Sequence, residues 1–308
     1  MTEVIAVVGP TASGKTALAI RIAEHLHTEI ISADSMQVYR GMEIGTGAPS
    51  SEELRRVPHH FVSIWPPETR WSAGAFEQAA RPIVKRLNDA AKPAVVVGGS
   101  GLYVQALIDG LIDVPASDPS IRRRLQADAE KLGADALYAR LQRVDPDYAE
   151  AIHSNDLRRI VRALEIYEGT GVPLGGWHSR LRDGMRPLRS LQIAIEHPRQ
   201  ALYNRINARV DEMIATGFLD ELRALLDQGY AEHLEKLRTL GYRECLAYLR
   251  GEVSLESAVE AMKMNTRRYA KRQLSWFRGD DRIHWLPTGT DAEVWARTCA
   301  LLNPHIAG

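Results

Sequence analysis

Cysteine is scarce in this chain, its charges cancel, and no apolar run is long; each shortage removes a class of function. The two cysteines among 308 residues, Cys245 and Cys299, stand far apart with no His/Cys cluster beside them. That excludes a disulfide framework, argues against a cysteine-rich zinc site, and leads us to expect a reducing, cytoplasmic setting. No stretch approaches the roughly 20 apolar residues that span a bilayer, and no charged-then-apolar leader precedes the first strand, so neither a membrane span nor export is expected. Lys plus Arg (39) equals Asp plus Glu (39), so a polyanionic partner would have to be met by a local basic surface. Repeats and low-complexity linkers are also missing, and with no long coiled-coil seam a monomer is expected.

What is present begins with VVGPTASGKT, Val7 to Thr16. Gly9, Gly14, Lys15 and Thr16 satisfy G-x-x-x-x-G-K-[ST], with Pro10, Thr11, Ala12 and Ser13 between the glycines. The apolar, β-branched EVIAVV before it reads as a buried strand, and TALAIRIAEHL after it places Leu18, Ile22 and Leu26 on one helical face. In a strand–loop–helix of this kind, backbone N–H groups and the helix N-terminus converge on a concavity that favours negative charge. Lys15 adds a full positive charge, and Thr16 offers a hydroxyl to Mg²⁺. The plain alternative is a ligand-free turn, and both flanks argue against it.

Strand signals recur at Glu29–Ala33, His60–Ile64 and Pro93–Gly98, alternating with helix signals at Ser51–Val57, Ser72–Ala91 and Gly101–Ile108. The alternation predicts an α/β fold, a P-loop NTPase-like parallel sheet flanked by helices. From Pro115 to Gly184 the strands give way to charged amphipathic helices, with Asp118 and Ser154 as candidate N-caps and Gly133 and Gly169 as candidate stops. SLQIAIE, Ser190 to Glu196, reads as one more strand, followed by helices over Pro198–Gln228 and Ser254–Phe277. A helical insertion domain, 115–184, within a core made of 1–114 and 185–308 is therefore expected.

Asp34 falls at the carboxyl end of the second strand, where open α/β sheets handle their ligands, and a carboxylate there can act as a general base or merely cap the next turn. The strand AVVVGGSGLY has no aspartate where a nucleotide hydrolase would hold its metal, which argues against ATP hydrolysis. Gly98, Gly99 and Gly101 leave the backbone bare around Ser100, so a ligand can approach and take its hydroxyl.

GPTASGKT, ISADSMQVYRGMEIGTG, GGSGLY, DPSIRRR, HSNDLRRIVRALE, RTLGYRE and RRYAKRQLSWFR occur in this order over most of the chain. Together they resemble the tRNA dimethylallyltransferases, also called the IPP transferase family, which prenylate an adenosine next to the anticodon. The resemblance implies that the loop holds dimethylallyl diphosphate and not ATP, with Mg²⁺ as cofactor. It further implies that the inserted helices grip the anticodon stem-loop of tRNA. Lys15 and Thr16 would bind diphosphate and Mg²⁺, Asp34 would take the proton from N6, and Arg205 and Arg209 would clamp the diphosphate. Contacts with tRNA are implied for Asp34, Ser35, Met36, Gln37 and Ser100; for Arg122, Arg158, Arg159, Ile160, Val161 and Arg162; for Arg238, Thr239, Leu240, Gly241, Tyr242 and Arg243; and for Lys271, Arg272, Gln273, Leu274, Ser275, Trp276, Phe277 and Arg278. Two departures stand out: Ser100 replaces the family's usual threonine, and GTGAPS lacks the lysine that more often follows Thr46.

Independently of that likeness, Lys263, Arg267 and Lys271 share a helix face, with Arg268 and Arg272 on an adjacent stripe and Tyr269 and Trp276 free to pack or stack. Arg158 and Arg162 make a second stripe on the inserted helix. Trp65, Trp71, Trp177 and Trp285 read as packing. An ATP-dependent small-molecule kinase and an RNA-binding module with a nucleotide switch are the alternatives. Only the prenyl transfer needs the arginine stripes.

Overall fold

Val4–Val8 (β1) is buried at every position because both of its faces are covered, as the uninterrupted apolar run requires of a central parallel strand. In the computed structural model, which describes residues 2–111, 114, 118–177, 187–237 and 239–306 (305 and 306 by backbone alone), β1 pairs in parallel with Ala94–Gly98 (β4) on one side and Ser190–Glu196 (β5) on the other. Ile30–Ser32 (β2), His59–His60 (β3) and Ile283–Pro287 (β6) complete an all-parallel six-stranded sheet ordered β3-β2-β4-β1-β5-β6. Helices cover both faces, so the fold is the P-loop NTPase-like α/β sheet. On one face Leu18 and Ile22 from Lys15–His25 pack with Ile5, Val7, Leu191, Ile193 and Leu302.

The strand order decides where chemistry can occur. Adjacent strands β2, β4 and β1 bring the loops at their carboxyl ends side by side, and these loops carry Asp34, Ser100 and the phosphate loop.

Several expected elements differ in extent. The third strand was expected over His60–Ile64, but Phe61 and Ser63 adopt positive φ, 64° and 51°, and extended pairing stops at His60. The helix expected over Pro198–Gln228 is two helices, Arg199–Ala215 and Phe218–Asp227, parted at Gly217 with φ 103°. Asp156, not Ser154, caps Leu157–Thr170, which ends at Gly171, not Gly169. β6 and the helix Asp291–Ile306 carry signals too weak to predict: β6 buries only Ile283 and Leu286 of IHWLP and ends on proline at the sheet edge.

The chain divides into two compact units, Met1–Ile108 with Leu188–Gly308, and Asp109–Pro187. Pro115 and Gly184, the expected boundaries, lie outside the described residues. The smaller unit is helical, with Leu125, Leu137, Leu141, Ile160 and Leu164 at its core. Asp118 caps its first helix through Ser120, and Gly133 ends that helix. Buried Glu165 receives both Arg122, at 2.7 Å, and Arg162, at 3.2 Å. Among the described residues, no helix is long and apolar enough to cross a membrane.

Candidate active site

Gly14, at φ 87°, starts the helix Lys15–His25, whose N-terminus therefore faces the loop 9–14. Lys15 folds back so that Nζ donates to the Pro10 carbonyl at 3.2 Å. Enclosure, and then the Arg209 guanidinium, lower its ammonium to about 8 against the opposing pull of Asp34, so the group gains most from an anionic ligand. Among the described residues the buried Ser13 hydroxyl has no hydrogen-bond partner and Thr16 makes no side-chain hydrogen bond. No group of three His, Cys, Asp or Glu that could cage a metal occurs among the described residues. One hydroxyl beside a phosphate cradle nonetheless fits Mg²⁺, which commonly takes few protein ligands and completes its shell with phosphate oxygens and water.

Two arginines reach the loop from Arg199–Ala215, one helical turn apart as their spacing of four predicts. Arg205 Nε donates to the Ala12 carbonyl at 2.7 Å. Arg209 donates through Nη1 to Thr11 Oγ1 at 3.2 Å and through Nη2 to the Gly47 carbonyl at 3.0 Å. Burial lowers Arg209 as well, with Asp34 opposing. His197, which the sequence does not flag, bonds the Ser13 carbonyl at 2.8 Å.

Asp34 both caps a turn and faces the site. Its Oδ1 accepts from Met36 N at 2.8 Å and Gln37 N at 3.3 Å, while Oδ2 makes no hydrogen bond among the described residues and the residue lines the site's cavity. Next to it Ser35 N donates to Ser100 Oγ at 3.2 Å. Close approach explains the glycines of this loop: a Cβ on Gly98 would overlap the Ala33 backbone, and one on Gly99 the Gln273 amide. Tyr269 stands beside Ser100 and Gln273, and burial together with the Asp34 charge pushes its hydroxyl up to about 12.

Of these groups Thr11, Asp34, Arg209, Tyr269 and Gln273 line a cavity of about 310 Å³. Thr11, Asp34 and Arg209 supply its polar end, and Ile206, Val210, Met213, Leu240 and Met262 its apolar walls. A neighbouring cleft, lined by Gly14, Thr16, Arg205 and Arg209, opens on the other side of the loop.

The residues expected at an RNA surface separate into exposed and internal sets. Arg158, Arg159, Arg243, Lys271, Arg272, Ser275, Trp276 and Arg278 are exposed. Ile160, Val161, Gly241, Tyr242 and Phe277 are buried and build the surface from beneath, while the buried Thr239 and Gln273 line the cavity beside Asp34. Arg238 lies outside the described residues. The charge stripe also divides: Lys263 pairs with Asp211 at 2.8 Å and Arg267 bonds Asn207 at 2.6 Å, leaving Arg268, Lys271 and Arg272 as its outward cations. Trp65, read as packing, is 42% exposed. Sequence reasoning missed Glu221, whose carboxylate accepts from Ile44 N at 2.7 Å, Gly45 N at 2.9 Å and the Tyr242 hydroxyl; nothing in its local pattern marks it.

The family model described as IPP transferase matches residues 37–280. The tRNA dimethylallyltransferase 1 of Pelobacter propionicus is 47% identical over 286 residues, covering 93% of each chain, and the tRNA dimethylallyltransferase of Syntrophobacter fumaroxidans is 47% identical over 96% of this chain and 86% of its own. Among solved structures, the tRNA isopentenylpyrophosphate transferase of Bacillus halodurans matches with a TM-score of 0.71 and 37% identity over 98% of this chain and 96% of that one. A eukaryotic dimethylallyltransferase acting on tRNA matches with a TM-score of 0.82 and 30% identity, over 99% of this chain and 79% of that one.

Proposed function

The chain belongs to the IPP transferase family, and from that premise we infer that it prenylates tRNA, moving a dimethylallyl group from dimethylallyl diphosphate to N6 of the adenosine 3′ of the anticodon, position 37. The observation that carries this reading is a phosphate loop held by Arg205 and Arg209, with Thr11 of that loop, Arg209 and the Asp34 carboxylate lining one apolar-walled cavity and no strand-end aspartate of the hydrolase kind.

The chemistry follows from the geometry. An exocyclic adenine amine is a weak nucleophile, so the departing diphosphate must be strongly stabilised. Lys15, Arg205, Arg209, the Ser13 hydroxyl and the loop N–H groups bind and orient it. Thr16 would hold Mg²⁺, which would supply further neutralisation of the leaving charge. The N6 lone pair forms a bond to the allylic carbon as the carbon–oxygen bond breaks and its electron pair leaves with diphosphate. Asp34 Oδ2 accepts the proton that N6 sheds, while Oδ1 stays pinned by Met36 and Gln37. The apolar walls hold the five-carbon group and keep water from the allylic centre.

The target base must leave its stack to reach Asp34. Arg268, Lys271 and Arg272, with Trp276 beside them, suit the phosphate backbone and an unstacked base, and in the helical unit the exposed Arg158 and Arg159 suit the backbone as well. One chain suffices for the chemistry, because the loop, the base and the arginines all belong to a single unit.

The test is incubation with isotopically labelled dimethylallyl diphosphate and unmodified tRNA. Label should appear on tRNA as N6-(dimethylallyl)adenosine, with release of one diphosphate for each transfer. Brisk ATP consumption without RNA, and no label on tRNA, would overturn the assignment.

A further inference from the structure

Gln273 is only 6% exposed, yet it sits in a helix, Leu255–Arg278, whose neighbouring positions Lys271, Arg272 and Trp276 face outward. Both ends of its amide are committed inside the protein. Oε1 accepts from the Thr11 N–H of the phosphate loop at 2.9 Å, and Nε2 donates to the Gly99 carbonyl at 2.9 Å. Thr11 is also the residue whose hydroxyl Arg209 holds, and Gly99 precedes Ser100, which holds Ser35 next to Asp34. Gly99 lacks the Cβ that would occupy the position of the Gln273 amide. A single planar group of fixed width therefore spans two loops on adjacent strands, one facing the leaving group and the other facing the base.

We propose that Gln273 is a positioning residue for the transfer reaction: it sets the spacing between the phosphate loop and the Gly98–Gly101 loop from inside the protein and does not contact RNA. The identity of the phosphate ligand rests on the prenyl-transfer reading above. The physical argument is one of alignment, since an in-line displacement loses rate steeply when leaving group and base shift relative to one another. Among side chains of this length only glutamine offers a donor and an acceptor on one rigid plane without taking up a proton.

The test compares Gln273→Met, which keeps length but neither bond, with Gln273→Glu, read at alkaline pH, which keeps the Thr11 bond and, when ionised, sets a carboxylate oxygen against the Gly99 carbonyl. Leu302→Ala, remote in the core, serves as a control for destabilisation alone. Calorimetric binding of inorganic pyrophosphate and of ATP, thermal melts, tRNA binding, and kcat and KM for dimethylallyl diphosphate are read for each. Gln273→Met should raise the pyrophosphate Kd and lower kcat by about 10-fold each, with tRNA Kd unchanged to about 2-fold. Gln273→Glu should fail in the same direction, and Leu302→Ala should lower the melting temperature while binding pyrophosphate normally. Weakened tRNA binding with intact pyrophosphate affinity would make Gln273 an RNA contact and overturn the proposal. So would melting-temperature loss alone, with normal turnover per folded molecule. If the wild-type chain holds ATP and ignores pyrophosphate, the prenyl-transfer reading fails, and the effect of Gln273→Met on ATP affinity still decides the positioning role.

Discussion

The Tyr242 hydroxyl donates to the Glu221 carboxylate at 2.6 Å in the interior, and the same carboxylate receives the Ile44 and Gly45 amides from a segment 176 residues away in sequence. Burial pushes Glu221 above the usual carboxylate range, and its three donors oppose that shift. The pair ties the short helix Glu43–Thr46, which borders the cavity, to the C-terminal helices. Glu221→Ala leaves two amides and a phenol without their acceptor and should cost about 2–5 kcal/mol in urea unfolding. Tyr242→Phe should cost about 1 kcal/mol and leave tRNA affinity intact. Because the two residues share one network, the double variant should cost less than the summed single losses. Normal stability with weakened tRNA binding in Tyr242→Phe would instead make Tyr242 an RNA contact.

Asp34→Asn isolates the proton transfer, because an asparagine oxygen can still accept from Met36 and Gln37 and keep the turn. With the shape retained and the basic carboxylate gone, the rate should fall about 10²–10⁴-fold while tRNA affinity stays near that of the wild type. Single-turnover measurements with tRNA in excess read this directly. Full activity would assign the base elsewhere.

What the sequence made legible and what it hid divide along one physical line. A phosphate loop needs particular residue types at fixed local spacing, so Gly9 to Thr16 announced itself, as did the β-branched central strands. Arg205 and Arg209, by contrast, were picked out only through the family resemblance. Which way a helix turns its polar residues is decided by partners distant in sequence. Gln273, expected at the RNA surface, points inward to Thr11 and Gly99, and Lys263 and Arg267 are taken by Asp211 and Asn207. Glu221 gave no signal because its acceptor role is fulfilled by backbone amides. β6 escaped notice because an edge strand with exposed positions and a terminal proline carries no alternation strong enough to read.

The start of β2 supplies a pH prediction. Glu29 binds Arg86 and His60, each at 2.6 Å. The Arg86 hydrogen bond is the main cause that lowers its carboxyl from 4.5 to about 2, with partial burial opposing and His60 assisting. A carboxyl depressed by folding stabilises the protein fully above its unfolded pKa and loses that contribution as pH falls toward its folded one. Glu29→Gln should therefore lower stability by about 1 kcal/mol at pH 7, a modest sum because Arg86 is largely exposed. The gap between variant and wild type should narrow between pH 4.5 and about 2. Urea titrations across that window check it, and a gap unchanged at pH 3 would contradict the assignment.

Arg158 and Arg122 carry the same charge in the helical unit but should behave differently toward tRNA. Arg122 is spent on the buried Glu165, at 2.7 Å, so its removal leaves a carboxylate deprived of one partner and should act mainly on stability. Arg158 is exposed and has no ion-pair partner among the described residues, and its neighbour Arg159 is held only by Asp156 at 3.4 Å. A cation that contacts an RNA phosphate releases counterions on binding, so its loss reduces the dependence of affinity on salt. Arg158→Ala should weaken tRNA binding at low salt and reduce the slope of log K against log salt by about 0.7–1, leaving pyrophosphate affinity unchanged. Arg122→Ala should unfold at lower urea with a slope close to that of the wild type. The contrast matters because both variants remove one positive charge: if net charge alone governed affinity, the two slopes would drop equally. Equal slopes would place the RNA contact away from the exposed start of the Leu157–Thr170 helix.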